Sequence, residues 1–281
     1  MILPLYVWRS FPRVLRFLGH GPGDELGPIC APEDRDAALE ALGRALGRER
    51  WSVFVADQVP GDLGLATSLG ARVLRREGSP VLELGGRSWD ELLATLSHSH
   101  RARIRRDERV VARDHELAFR RCDDPGRLEH DLDLLFELHR LRWPESDAFA
   151  GAAEPFQREA AAAAFRKGWL RLWFAEVDGS ARAAWYGLRF AGADSFYQGG
   201  RDPAWTKASL GAVLLAHTIR EAVSDGMAEY RFLRGGEGYK YRFSTRDLGL
   251  ETAVVGRGAA GWAGVAALRL RFARVGDDRP A

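Results

Sequence analysis

Residues Asp194–Phe243, DSFYQGGRDPAWTKASLGAVLLAHTIREAVSDGMAEYRFLRGGEGYKYRF, decide how the chain reads. They run as a strand, a small-residue turn, an amphipathic helix, a second strand and a glycine-rich turn into an aromatic and basic segment. The helix, expected over Ser209–Ser224, carries Leu210, Val213, Leu214, His217 and Ile219 largely on one side and ends at Asp225-Gly226. Its start holds Ser209, Gly211 and Ala212, side chains small enough for a ligand to reach backbone N–H groups. A helix N-terminus of that kind suits phosphate or pyrophosphate. Arg234–Phe243 then packs acid, base, phenol and cation into one short segment. Together these features imply a transferase that holds a phosphorylated acyl carrier.

Working outward, the second half is an α/β pattern. Strands are expected at His115–Cys122, Trp169–Val177, Ala181–Phe190, Ser195–Gly199, Glu229–Leu233 and Leu250–Gly256. Helices are expected at Pro125–Arg142 and Pro155–Lys167, with a short helix or turn at Tyr239–Ser244. Asp178-Gly179 marks a hairpin turn. In the first half, Leu3–Phe11, Val14–Gly19 and Trp51–Val59 read as strands, Asp36–Leu46 as a helix and Gly61–Leu69 as a short helix. Ala71–Leu84 reads as a strand pair broken at Gly78-Ser79-Pro80. This element order repeats that of the second half from its third strand onward. The first half therefore starts in the middle of its own repeat, and an open apolar edge is expected at Leu3, Leu5, Val7 and Phe11. Such an edge favours self-association or a covering partner.

Three divisions follow: a partial half over 1–87, a basic linker helix over 88–113 and a complete half over 114–281. The linker has Ser88 as its expected N-cap and an arginine cluster at Arg101, Arg103, Arg105, Arg106 and Arg109. It reads either as a solvated helix or as a positive wall for an anionic substrate. His98 and His100 have no cysteine or carboxylate at ligand spacing, so no metal is expected.

Composition sets outer bounds. The net charge of +2 over 281 residues argues against DNA as a partner. Cys30 and Cys122 are isolated, which fits a reduced, cytoplasmic setting without a disulfide framework. No apolar run is long enough to span a bilayer, and the first residues lack the order of a signal peptide. Basic charge is almost all arginine, which singles out the few lysines, Lys167, Lys207 and Lys240.

The strand order, the Ser209-Leu-Gly-Ala helix start and the Arg234–Phe243 segment together resemble the GNAT N-acyltransferase superfamily. Leu96-Ser97 with Arg101–Arg106, Leu138-His139-Arg140 with Arg142-Trp143, Gln198-Gly199 with Asp202-Pro203, and Glu229-Tyr230 narrow the resemblance. They look like the CelD-type branch associated with cellulose biosynthesis, which is related to the FemAB aminoacyltransferases. The likeness implies tandem GNAT-like halves: mixed, mostly antiparallel sheets flanked by helices, with the first half N-terminally truncated. It also implies an acyl-CoA donor, most simply acetyl-CoA. The acceptor it implies is an amine or hydroxyl of a saccharide or cell-envelope precursor. The usual superfamily loop, Arg/Gln-x-x-Gly-x-Gly/Ala, is altered here, with Thr206 in the first position, Ser209 at the first glycine and Gly211 at the second small position. FemAB relatives use aminoacyl-tRNA, so tRNA stays open as a partner. A non-catalytic binding or scaffolding role in exopolysaccharide assembly is the alternative of a different class.

On this reading the donor site comprises Gln198, Gly199, Thr206, Lys207, Ser209, Leu210, Gly211 and Ala212. Glu237 is the candidate general base, although a solvated turn acid would look the same. Tyr239 or Tyr241 is the candidate acid for the leaving thiolate, against a plain core role. Lys240 and Arg242 would face a phosphate or oxyanion. Arg234 would orient Glu237 or the substrate. Arg101, Arg105, His139 and Arg142 are expected near the acceptor, although a histidine on an apolar helix is more often a satisfied core residue. His217 is expected in the core. No cysteine lies in the motif region, so direct transfer in a ternary complex is expected.

Overall fold

A computed structural model describes residues 1–275. In chain order the elements begin with β1 (Leu5–Ser10), β2 (Arg13–Phe17), α1 (Arg35–Arg48), β3 (Val53–Pro60), α2 (Leu65–Ser68), β4 (Arg72–Glu77) and β5 (Pro80–Glu83). Next come α3 (Trp89–Thr95), α4 (His98–Asp114), β6 (Leu117–Arg121), α5 (Leu128–Arg142), α6 (Ala153–Arg166), β7 (Leu170–Val177), β8 (Ser180–Phe190) and β9 (Ala193–Arg201). The remainder are α7 (Leu210–Ser224), β10 (Glu229–Arg231), α8 (Gly238–Tyr241), β11 (Arg246–Asp247), β12 (Leu250–Gly256) and α9 (Gly258–Val275).

The chain forms two compact units. The first comprises residues 1–80, 233–241 and the chain from Arg246 on, and the second comprises 81–232 and 242–245. This differs from the expected division at 87 and 113, for two physical reasons. Leu250–Gly256, expected in the second half, is β12 and pairs antiparallel with both β3 and β4 of the first unit. The expected linker over 88–113 is two helices built into the second unit. Ser88 caps α3 in a capping box with Glu91, as its position suggested. Leu92 of α3 and Val111 of α4 are buried in the same core as Leu214 and Ile219 of α7.

In the second unit the strands run in the order β5-β10-β9-β8-β7-β6. Both faces are covered. One core gathers α3, α4 and α7 around Trp173, Trp185, Leu214 and Tyr230. The other gathers α5 and α6 around Leu132, Phe136, Leu172 and Phe174. The β7–β8 hairpin turns at Asp178 (φ 51) and Gly179 (φ 75), both left-handed, as the Asp-Gly pair demands. The β8–β9 hairpin does the same at Ala191 and Gly192.

In the first unit the order is β1-β2-β3-β12-β4. Helix α1 covers one face through Leu39, Leu42 and Leu46 against Phe17 and Phe54. Helix α9, which the sequence reading did not anticipate, covers the other through Val265 against Val53, Val55 and Val254. The repeat is visible in the pairing. An antiparallel hairpin (β1–β2; β8–β9) leads through a helix (α1; α7) to a parallel strand (β3; β10). The next strand in each sheet, β12 or β5, pairs antiparallel and comes from the other half of the sequence. At the expected open edge, Leu3 and Leu5 pack against the first core, whereas Val7 and Phe11 are exposed.

Candidate functional site

Strand β9 and the turn into α7 form the centre of the second unit's candidate site. Strand β10 pairs with β9 only at Ala193, Asp194 and Ser195. From Phe196 to Arg201, that edge of β9 has no strand partner within the unit. The register with β8 slips between Tyr186 and Gly187, so Tyr197 is a bulge residue. Phe196 belongs to the α7-side core, and Tyr197 packs against the α5-side core.

Beyond Arg201, the turn is held tightly. Asp202 accepts from Ala204 N at 2.9 Å and pairs with Arg182 at 3.1 Å. Ser209 N donates to Thr206 O at 3.1 Å. Ser209 then adopts φ 56, ψ 29, a left-handed conformation that is costly for a non-glycine residue, and α7 starts at once. Ala212 N and Val213 N both donate to Ser209 O, at 2.8 and 3.1 Å. The Ala212 N–H is thus already used inside the helix. Leu210 and Gly211 contribute the first N–H groups, which no preceding turn of helix satisfies.

Gly211 faces Arg201. A Cβ built on Gly211 would lie 3.5 Å from Arg201 Cδ and 3.7 Å from its Nη1. A guanidinium beside the positive end of a helix is a juxtaposition of like charges, and it favours an anion. Nothing in the sequence distinguishes Arg201, because arginine is common in this chain.

Other expected donor residues separate. Thr206 and Lys207 are exposed in the turn, and Leu210 is fully buried as a core residue. Gly199 lies under the Phe196 ring. Gln198 points the other way and hydrogen-bonds the side chain of His139 on α5. Backbone contact fixes this pairing: a Cβ on Gly200 would collide with His139 N and Leu138 C. His139 is 2% exposed, and its ring meets Phe149 edge-on at 4.7 Å. Burial pushes its imidazole below the usual histidine range, so it is neutral.

The expected acceptor wall does not assemble. Arg101 donates to Ala94 O at 2.9 Å, and Arg105 pairs with Asp90 at 3.5 Å on the α4 side of the sheet. His139 and Arg142 belong to α5, on the opposite face, with Arg142 stacked over Trp143 at 4.1 Å. Arg103 and Arg106 both bond the buried Asp107. His100 bonds Arg242 O at 3.1 Å, while the Arg242 side chain is exposed. Among the described residues no cluster suited to a metal exists. His217, expected in the core, is partly buried at its margin; it stacks on Phe119 at 3.9 Å, and burial pushes its pKa down to about 4.

The expected catalytic segment lies in the first unit and is tied to itself. Lys240, 4% exposed, donates to Arg234 O at 2.6 Å and pairs with Glu237 at 2.9 Å. Its ammonium is thereby committed to the loop rather than to a phosphate. Tyr241 donates to Asp247 at 2.6 Å, and burial with that carboxylate raises its phenol above the usual range. Arg234 N–H donates to Asp24 at 3.2 Å, and its Nε lies 3.6 Å from the same carboxylate. The Glu237 carboxylate and the Tyr239 ring are exposed.

A helix start with small residues after a strand is the arrangement expected from the sequence. The family profile described as "Acetyltransferase (GNAT) domain" matches residues 98–241, more than half of the chain. The chain belongs to this GNAT acyltransferase family. Its fold is similar to that of FemX, at 10% identity and a TM-score of 0.61, covering 92% of this chain and 83% of that one. It is equally similar to the C-terminal domain of a putative lysylphosphatidylglycerol synthetase from Agrobacterium fabrum. There the identity is 12% and the TM-score 0.61, covering 94% of this chain and 81% of that one. L-PGS from Bacillus licheniformis gives 11% and 0.61, covering 92% and 82%. At such identities the likeness is one of fold. No curated protein matches the chain in sequence. The GNAT family is thus shown, and the FemAB and CelD-type relationships rest on the sequence resemblance alone.

Proposed function

We propose that the second unit binds an acyl-CoA, most simply acetyl-CoA. Its acyl group passes directly to an amine or hydroxyl of a saccharide or cell-envelope precursor. The observation that carries this reading is the meeting at Gly211 of the α7 N-terminus and the Arg201 guanidinium. A pyrophosphate is attracted by the helix N-terminus and by the guanidinium. The unpaired β9 edge leads to the same point, and an extended chain of amides such as pantetheine can pair along it like an added strand. In the transfer, the acceptor nitrogen or oxygen attacks the thioester carbonyl, the C–S bond breaks, and the thiolate takes up the proton that the acceptor loses. A covalent cysteine intermediate is not part of this scheme: burial and Asp131 push the Cys122 thiol up to about 12. The saccharide acceptor rests on the branch resemblance.

Calorimetry with CoA tests the site. Gly211→Asp and Arg201→Ala should each weaken binding by about tenfold or more, the loss of roughly one charge-assisted hydrogen bond. Unchanged affinity in folded variants removes the reading.

An aminoacyl-tRNA donor is the second reading, favoured by the exposed guanidinium groups along α4. Thiol release from acetyl-CoA in the presence of amino sugars supports the first. Transfer of an amino acid from charged tRNA, with no CoA binding, supports the second.

A further inference from the structure

Helix α9 covers the first unit's sheet with a narrow stripe and leaves a broad face outward. Gly261 and Val265 are buried, while Trp262 is 66% and Leu270 64% exposed. Residues 258–275 contain no aspartate or glutamate. Beside the C-terminal half of α9, an open groove of about 700 Å³ lies against the edge strand β4. Val73, Leu74, Leu270 and Phe272 line it, with Arg72 and Arg269 as its only charged lining groups among the described residues. Arg72, Arg269 and Arg271 have no carboxylate partner among the described residues.

A second apolar feature sits at the same end of the sheet as the first turn of α9. The β1–β2 hairpin turns at Phe11, which is 85% exposed. Ser52 N donates to Arg13 O and Arg257 N to Ser52 O, both at 2.8 Å, so the hairpin tip, the start of β3 and the start of α9 adjoin. Phe11 is flanked by Arg9 and Arg13. Exposed aromatic and aliphatic side chains set among arginines, with no acid along 258–275, are the pattern of a helix that lies in a bilayer interface. Tryptophan favours that depth. No described helix is long and apolar enough to cross a membrane.

We propose that this face of the first unit docks on an anionic lipid surface. Phospholipid phosphates pair with Arg72, Arg269 and Arg271, while Trp262, Leu270 and Phe11 enter the headgroup and acyl boundary. Charge complementarity selects this occupant. A second copy of the same face would bring arginine against arginine.

The test uses the full chain in co-sedimentation with vesicles of phosphatidylcholine alone and of phosphatidylcholine mixed with phosphatidylglycerol. Binding is expected to the mixed vesicles only, and raised salt should release it. R269E/R271E should weaken it by about fivefold or more for each arginine lost, from roughly 1 kcal/mol per basic residue. W262A/L270S should weaken it as well. R166E, an exposed reversal in the second unit, should leave it unchanged. These substitutions sit on exposed positions, and far-UV circular dichroism checks that each variant is folded. The proposal is overturned by absence of binding to mixed vesicles, by equal binding to phosphatidylcholine alone, or by full binding of R269E/R271E. It is equally overturned if sedimentation velocity shows a dimer that W262A/L270S dissociates.

Discussion

His139 and Gln198 share a side-chain hydrogen bond that ties the last turns of α5 to the open strand of the candidate site. Sequence reasoning had placed one with the acceptor and the other with the donor. The structure joins them on the face away from α7. Gln198→Leu should leave the buried imidazole unsatisfied and cost about 1–3 kcal/mol in a urea titration. CoA affinity should change little, because the anion site is on the other face.

Gly200→Ala is expected to be worse than Gln198→Leu. The added methyl would meet the α5 backbone itself, which cannot rotate away as a side chain can. Either α5 or β9 must move, so both stability and CoA binding should fall. Paired denaturation and calorimetry on the same variant check this, and a variant with unaltered values would show that the contact is soft.

Ser209 should tolerate glycine and resist valine. Its φ of 56 lies in the left-handed region, where a β-branched residue is strongly disfavoured. Ser209→Val should cost about 1–3 kcal/mol and displace the first turn of α7, weakening CoA binding. Ser209→Gly should keep both within error.

Arg120 holds the fully buried Asp131 through two bonds, at 2.8 and 2.9 Å, and also reaches Glu176 at 2.7 Å. Arg120→Ala leaves that carboxylate uncompensated, and a loss of about 3–5 kcal/mol is expected. The shift in the midpoint of chemical unfolding measures it.

His217 gives the fold an acid limit. Its pKa falls from the ordinary 6.5 to about 4 in the folded chain, mainly by burial. Between those values the unfolded chain binds more protons at this residue, so its contribution to stability falls as pH drops from 6.5 towards 4. Thermal unfolding midpoints should decline over that window. His217→Phe, which preserves the stack on Phe119, should flatten the decline.

Local pattern was enough for most elements. The Asp178-Gly179 turn, the capped start at Ser88 and the apolar face of α7 all fix their elements without help from distant residues. The helix start at Ser209 and Gly211 was legible because small residues after a strand and before a helix have a narrow range of uses. Arg201 was not, since its meaning comes only from facing Gly211 across the turn. Lys240 misled for a related reason. Its rarity drew attention, but the ammonium is held by a carbonyl and Glu237 within its own loop. The destination of Leu250–Gly256 was hidden most deeply: a strand's period records its two faces, not which strand it will pair with.

That pairing bears on the order in which the protein can be made. β12 lies between β3 and β4, yet nearly two hundred residues of synthesis separate β3 from β12 (Val53–Pro60 and Leu250–Gly256). Until the ribosome has released the far strand, β3 and β4 each lack the neighbour they finally share. β5, made early, waits in turn for β10. A nascent first half therefore presents open strand edges for most of translation, and a gene cut between residues 87 and 88 would yield two fragments that are each missing a strand. Unpaired edges of this kind invite association with other chains until the far strand arrives.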